Sequence, residues 1–166
     1  MPPHVRVDQP QILSSTPRAL DWVDLLEWLA DKEPDDDSCL EYLWRSLYAP
    51  DGESAVCPRC GVMRRFRRYF GKVHRDAWTC TACGHYVYPR SGTIFQKSST
   101  PLAVWFKAIS LVATRGRSLT SRQLQRELRV TYKTAWRMSK LIRDELTDVV
   151  PLATKTEITS GKRAAQ

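Results

Sequence analysis

The chain has 166 residues, of which 42% are apolar and 10% aromatic, enough bulky material for a packed core and too much for a disordered polyelectrolyte. Its most apolar stretch, residues 102–112, contains Lys107 and falls well short of the roughly 20 residues of a membrane span, and no apolar signal sequence opens the chain. The net charge of +8 joins two opposed parts, 4 Lys/Arg against 12 Asp/Glu in residues 1–56 and 22 against 6 in residues 57–166. A basic part so dense points to a polyanion such as nucleic acid, or to a solvated basic surface.

Residues 1–18 contain Pro and Ser without periodicity and are expected to be disordered. Residues 19–50 read as an acidic helix pair. Leu20, Val23 and Leu26, with Trp22 and Leu29, recur at helical spacing, and Leu40, Leu43, Trp44 and Leu47 form a second pattern. Asp35, Asp36 and Asp37 precede that second pattern, where carboxylates suit the positive end of a helix dipole. Cys39 reads as a small buried hydrophobe on the second helix.

Residues 51–97 change character. Cys57-Pro58-Arg59-Cys60-Gly61 and Cys80-Thr81-Ala82-Cys83-Gly84 are two CxxC knuckles with 19 residues between them. Two intervening residues let both thiolates of a pair reach one ion, and the following glycine lets the backbone fold around sulfur. Four thiolates suit one tetrahedral zinc ion and leave no position for a reactive water, so Cys57, Cys60, Cys80 and Cys83 predict a structural zinc ribbon of β-hairpins. Two disulfides, a redox pair or an iron–sulfur site are the alternatives; a chain without export signals, in a reducing cytosol, favours metal. His85 is an alternative ligand to Cys83, and His74 reads as a hairpin surface residue. Between the knuckles, Arg64, Arg65, Arg67 and Arg68 surround Phe66. Strand alternation sends them to both faces, which suits contact with phosphates or, more simply, with solvent.

Residues 98–147 read as a three-helix bundle. Thr100 is expected to cap a helix that starts at Pro101 and runs to 114, with Leu102, Trp105, Phe106, Ile109, Val112 and Ala113 as its apolar face. After the basic turn Arg115-Gly116-Arg117, Thr120 and Gln123 form a capping box for a helix ending at Leu128. Thr131 caps a last helix, Tyr132 to Leu146, with Ala135, Met138, Ile142 and Leu146 inward and Trp136 beside them. This pattern predicts a helix-turn-helix whose second helix enters the DNA major groove. Tyr132, Lys133, Arg137 and Lys140 on that helix, with Arg117 and Arg122 before it, are the candidate DNA contacts. Residues 148–166 lack apolar periodicity and are expected to be disordered. The fold class is therefore α+β.

Taken together, Cys57-Pro-Arg-Cys-Gly, Trp78-Thr-Cys-Thr-Ala-Cys-Gly, Ser91-Gly-Thr-Ile-Phe, Thr100-Pro-Leu-Ala-Val-Trp-Phe, Gln123-Leu-Gln-Arg-Glu-Leu and Thr134-Ala-Trp-Arg-Met resemble the N-terminal region of bacterial insertion-sequence transposases. The resemblance covers roughly residues 19–145. It implies recognition of the terminal inverted repeats of a mobile element, a double-stranded DNA partner, a zinc ion, and a place at the bacterial nucleoid in the cytoplasm. A second copy or an intact transposase is a further expected partner; a membrane is not. The family's ribonuclease-H-like catalytic domain, with its metal-binding carboxylates, has no counterpart after the last helix, where Asp144, Glu145, Asp148 and Glu157 are the remaining acids. The chain is accordingly expected to be a truncated, non-catalytic DNA-binding part. Similar sequences often have glycine where Arg129 stands, so a positive φ there would strain the arginine. A transcription regulator with the same modules, and a zinc-stabilised protein-interaction module docking through the acidic helices, are the competing readings.

Overall fold

The computed structural model describes residues 17–70 and 76–147. Most of the expected start (1–18), the whole expected tail (148–166) and His74 lie outside the described residues. Within them the architecture is α+β: five α-helices, one 3-10 turn and a four-stranded antiparallel sheet in the order β1-β2-β3-β4.

Helix α1 (Trp22–Leu29) starts at Asp21, whose carboxylate accepts hydrogen bonds from the backbone N–H of Val23 at 2.9 Å and Asp24 at 3.2 Å. That start sets a different buried stripe from the one expected. Trp22, Leu25 and Leu29 face inward, whereas Val23 is 51% exposed and Leu26 half-buried. The large indole of Trp22 buries the most apolar surface and so selects the face.

Helix α2 (Asp36–Leu47) is capped by Asp35, which accepts from Ser38 N at 2.8 Å, and buries Cys39, Leu40, Leu43, Trp44 and Leu47 as anticipated. Its Trp44 is the link to the sheet. The indole stacks on Trp78 at 4.8 Å between centroids, packs on Phe66 and Tyr48, each at 5.4 Å, and donates to Gly52 O at 2.8 Å. Strands β1 (Ser54–Val56), β2 (Met63–Arg68), β3 (Trp78–Cys80) and β4 (Tyr86–Val87) are too short for a core of their own. They gain one from α2 on one face.

Helix α3 (Leu102–Arg115) buries Leu102, Trp105, Phe106, Ala108, Ile109 and Val112; Ala113, expected among them, is only partly covered. Its start departs from expectation. Pro101 occupies the N-cap position and no local side chain caps the helix. Instead Asp36, at the head of α2, accepts from Ala103 N at 2.7 Å. A carboxylate from a distant helix thus satisfies an amide that has no partner inside its own helix.

After a 3-10 turn at Gly116–Ser118, α4 (Ser121–Leu128) and α5 (Tyr132–Leu146) follow. The capping box is complete: Thr120 Oγ1 accepts from Gln123 N at 3.2 Å while Gln123 Oε1 accepts from Thr120 N at 2.8 Å. Thr131 caps α5 by accepting from Thr134 N at 3.2 Å. Leu119 and Leu124 from the α4 side, with Ala135, Met138, Ile142 and Leu146 from α5, close the bundle on α3. Arg129 ends α4 in the left-handed conformation, φ 54° and ψ 40°, the strained geometry anticipated for that position. One continuous apolar core runs from α1 and α2 through the sheet into the bundle. Among the described residues no helix is long and apolar enough to cross a membrane.

Candidate functional site

The two knuckles sit in the tight turns that join β1 to β2 and β3 to β4, at the same end of the sheet. Gly61 N donates to Cys57 O at 2.8 Å and Gly84 N to Cys80 O at 2.9 Å, with both glycines at positive φ, 70° and 72°. Cys60 N donates to Cys57 Sγ at 3.4 Å. Burial opposes the Cys80 thiolate, but backbone N–H groups of Cys83 and Ala82 pointing at its sulfur outweigh that and bring the thiol down to about 7.

All four sulfurs lie within 4.8 Å of one another, with Cys57 and Cys83 Sγ 3.6 Å apart, and none is in a disulfide. Four sulfurs at the ~2.3 Å bond length of a tetrahedral zinc site stand about 3.8 Å apart, so the cluster fits the ion. His85 is not among the four; its backbone carbonyl accepts from Cys80 N at 2.9 Å. The cluster supports one structural zinc ion, which Cys57, Cys60, Cys80 and Cys83 are placed to hold. The metal cross-links two turns 20 residues apart in sequence. Cys39 lies apart from them, fully buried on α2, where burial pushes its thiol up to about 12.

The four ribbon arginines have different environments. Phe66 and Arg68 pair across the sheet with Cys80 and Trp78, on the face that packs against α2. Arg68 lies over Trp78 at 5.6 Å, and its Nη2 donates to Asp37 at 2.6 Å. It binds the ribbon to α2, with only 20% of its side chain exposed. Arg65 points the other way and forms an exposed ion pair with Glu53. Arg64 and Arg67 are exposed and belong to no ion pair among the described residues. The second knuckle anchors this strand, because Thr81 donates to Arg65 O from both its N–H and its hydroxyl, each at 3.0 Å.

On α5, Lys133, Arg137 and Lys140 are exposed and form no ion pair among the described residues, as is true of Arg117 and Arg122 before it. Tyr132 is 49% exposed and lines a cleft with Arg122, Gln125 and Arg126. Trp136, expected beside the inner stripe, is instead 51% exposed, with Lys140 Nζ 5.8 Å from its ring.

Two positioning arginines escaped the sequence reading. Arg90 Nη2 donates to Ser98 O at 2.6 Å while its Nη1 bonds Asp76 at 3.2 Å, joining the end of the ribbon to the approach to α3. Arg143 Nη2 donates to Leu119 O at 2.5 Å, tying α5 to the loop before α4. Both partners are mostly backbone carbonyls, which leave no mark in a sequence.

Residues 34–86 match the transposase zinc-ribbon domain family of the IS1595 type. The matched span starts just before α2 and ends in β4, so it takes in the helix that supplies the ribbon's core. The chain is 32% identical over 95 residues to an uncharacterized protein in transposable element ISH50 of Halobacterium salinarum. That alignment covers 57% of this chain and 29% of the relative, so the chain spans less than a third of that relative's length. No solved structure matches the chain. With its four-cysteine site and the match over residues 34–86, the chain resembles the N-terminal zinc-ribbon region of insertion-sequence transposases.

Proposed function

We propose that this chain binds double-stranded DNA at the terminal inverted repeats of an insertion element, as the recognition part of a transposase. The observation that carries this reading is the outer face of α5. Lys133, Arg137 and Lys140 stand there exposed and without ion pairs among the described residues, on a helix held by its inner stripe against α3 and α4. A helix-turn-helix presents its second helix in this way, with base edges read from its N-terminal half and phosphates met by the preceding helix. Arg117 and Arg122 take the phosphate role in the bundle. On the ribbon, Arg64 and Arg67 are available for phosphate at once, whereas Arg65 and Arg68 must first leave Glu53 and Asp37. Zinc contributes by holding the strand that carries these arginines.

The reading assigns no strand-cutting chemistry to the described residues; they recognise ends, and a second copy or an intact transposase meets them there. The likeness to a protein of a transposable element favours element ends over a promoter as the target.

The test is duplex binding by the zinc-loaded chain across a salt series, with and without chelator. Affinity should fall by about 0.9 log unit per log unit of salt for each phosphate neutralised, and drop when zinc is removed. Sequences selected from a random pool should match element ends. Absence of duplex binding at low salt overturns the proposal, and selection of a promoter-like site overturns its target.

A further inference from the structure

Trp136 is the residue whose position the fold leaves without a structural reason. The inner stripe of α5 is already complete, with Ala135, Met138, Ile142 and Leu146 fully buried. Trp136 nevertheless leaves half its surface in water, one turn after the half-exposed Tyr132. The two rings form a row at i and i+4, continued by Lys140, whose ammonium lies over the indole. Lys133 and Arg137 stand beside them, exposed. The surface is thus an apolar ridge among cations.

Such a ridge suits a polyanion that also offers an apolar group. Trp, Tyr and Arg are common at protein interfaces too, but lysine is depleted there, and two lysines flank this ridge. Duplex DNA offers the matching combination, because phosphates line the major groove and its base edges carry one apolar group, the thymine 5-methyl. Trp136 lies in the first half of α5, the half that reaches base edges in a helix-turn-helix.

We infer that Trp136 is a specificity-determining residue that packs its indole against the 5-methyl group of a thymine on the major-groove floor. Lys140 holds the ring in place, with its ammonium over the indole. The inference rests on the proposed DNA binding and adds to it which base feature α5 reads.

The test replaces each thymine of the selected duplex singly with deoxyuridine, which removes the methyl and nothing else. Binding is then measured for the zinc-loaded wild type, Trp136→Ala and Trp136→Leu. In the wild type one replacement should cost about four-fold in affinity, the value of one buried methyl. Trp136→Ala should bind the thymine duplex more weakly and show no further loss with deoxyuridine at that position. Trp136→Leu, which keeps an apolar tip, should retain part of the penalty and serves as the reading if the alanine variant is poorly folded.

A wild type that still prefers its site but ignores every deoxyuridine overturns the inference and leaves the DNA reading standing. So does an undiminished penalty in Trp136→Ala, which would assign the methyl to another side chain. A change of oligomeric state in Trp136→Ala, with no deoxyuridine effect, would make the ring a protein contact. A wild type that binds no duplex at all removes both proposals together, a result distinct from the other three.

Discussion

The ribbon and the C-terminal bundle are both basic, yet they hold their charges and their folds in different ways. In the ribbon, two of the four central arginines are engaged internally, Arg68 with Asp37 and Arg65 with Glu53. Its strands are two to six residues long, and they are kept in place by zinc and by the Trp44 indole of α2. In the bundle, α3 packs on α1 and α2 and takes its cap from Asp36, whereas the last two helices close on aliphatic side chains and are capped locally by Thr120 and Thr131. The outer cations of its last helix, Lys133, Arg137 and Lys140, form no ion pair among the described residues. Stability borrowed from the metal and α2 therefore accompanies internally engaged charge in the ribbon, whereas the locally capped α5 keeps Lys133 and Arg137 exposed.

The sharpest way to break this contrast is to remove the metal. Structural zinc contributes on the order of 10 kcal/mol of apparent binding free energy in small domains. Cys80→Ser should abolish the single bound zinc ion, read by elemental analysis. Amide exchange should then rise across β2 and β3 while α5 stays protected. Equal loss of protection in α5 would show that its stability too is borrowed from the metal.

Next in size is Trp44→Ala, which should destabilise the chain by about 3–5 kcal/mol in urea, as for other buried indoles. The same variant should weaken zinc retention, because Trp44 packs on Trp78 and Phe66, which stand in the sheet next to Cys80 or opposite it. Within the bundle, Arg129→Gly should raise stability by about 0.5–1 kcal/mol by relieving the left-handed φ of 54°. A lower melting temperature for that variant would mean that the arginine side chain holds the turn.

The smallest expected effect is in acid. Asp35 lies below its ordinary value of 3.8 through the Ser38 side-chain and backbone hydrogen bonds, and Asp51 through the N–H groups of Ser54 and Glu53. The folded state thus binds these protons less readily than the unfolded state. Stabilisation from the Asp35 cap is complete above about pH 4 and is lost as pH falls through the folded value. The difference in urea midpoint between wild type and Asp35→Ala should shrink over that window and be constant above it.

Much of this was legible in the sequence where the determinant is local. The zinc ligands follow from two CxxC spacings, and the Thr120–Gln123 box from one four-residue motif. Helix bounds and the inner stripe of α5 follow from period. What escaped depends on a partner far along the chain or on backbone carbonyls. Asp36 caps α3 across 67 residues, and Arg90 and Arg143 bond carbonyls that no side-chain pattern records. The stripe of α1 was shifted because the helix begins at Trp22, so that ring rather than Val23 took the inward position. Trp136 reads as a neighbour of the inner stripe of α5, and period alone does not show that half of its surface stays exposed there.

In the proposed function the ribbon holds DNA without reading it, and α5 reads it. The most direct measurement compares Arg67→Ala and Arg137→Ala on the selected duplex and on a scrambled one, each across a salt series. Arg67→Ala should weaken both duplexes alike and lower the salt slope by about one. Arg137→Ala should lose affinity mainly for the selected duplex and narrow its preference, by about 1–3 kcal/mol if the guanidinium meets a base edge. If Arg67→Ala relaxes the preference, or Arg137→Ala leaves it untouched, the division of labour between ribbon and bundle is contradicted.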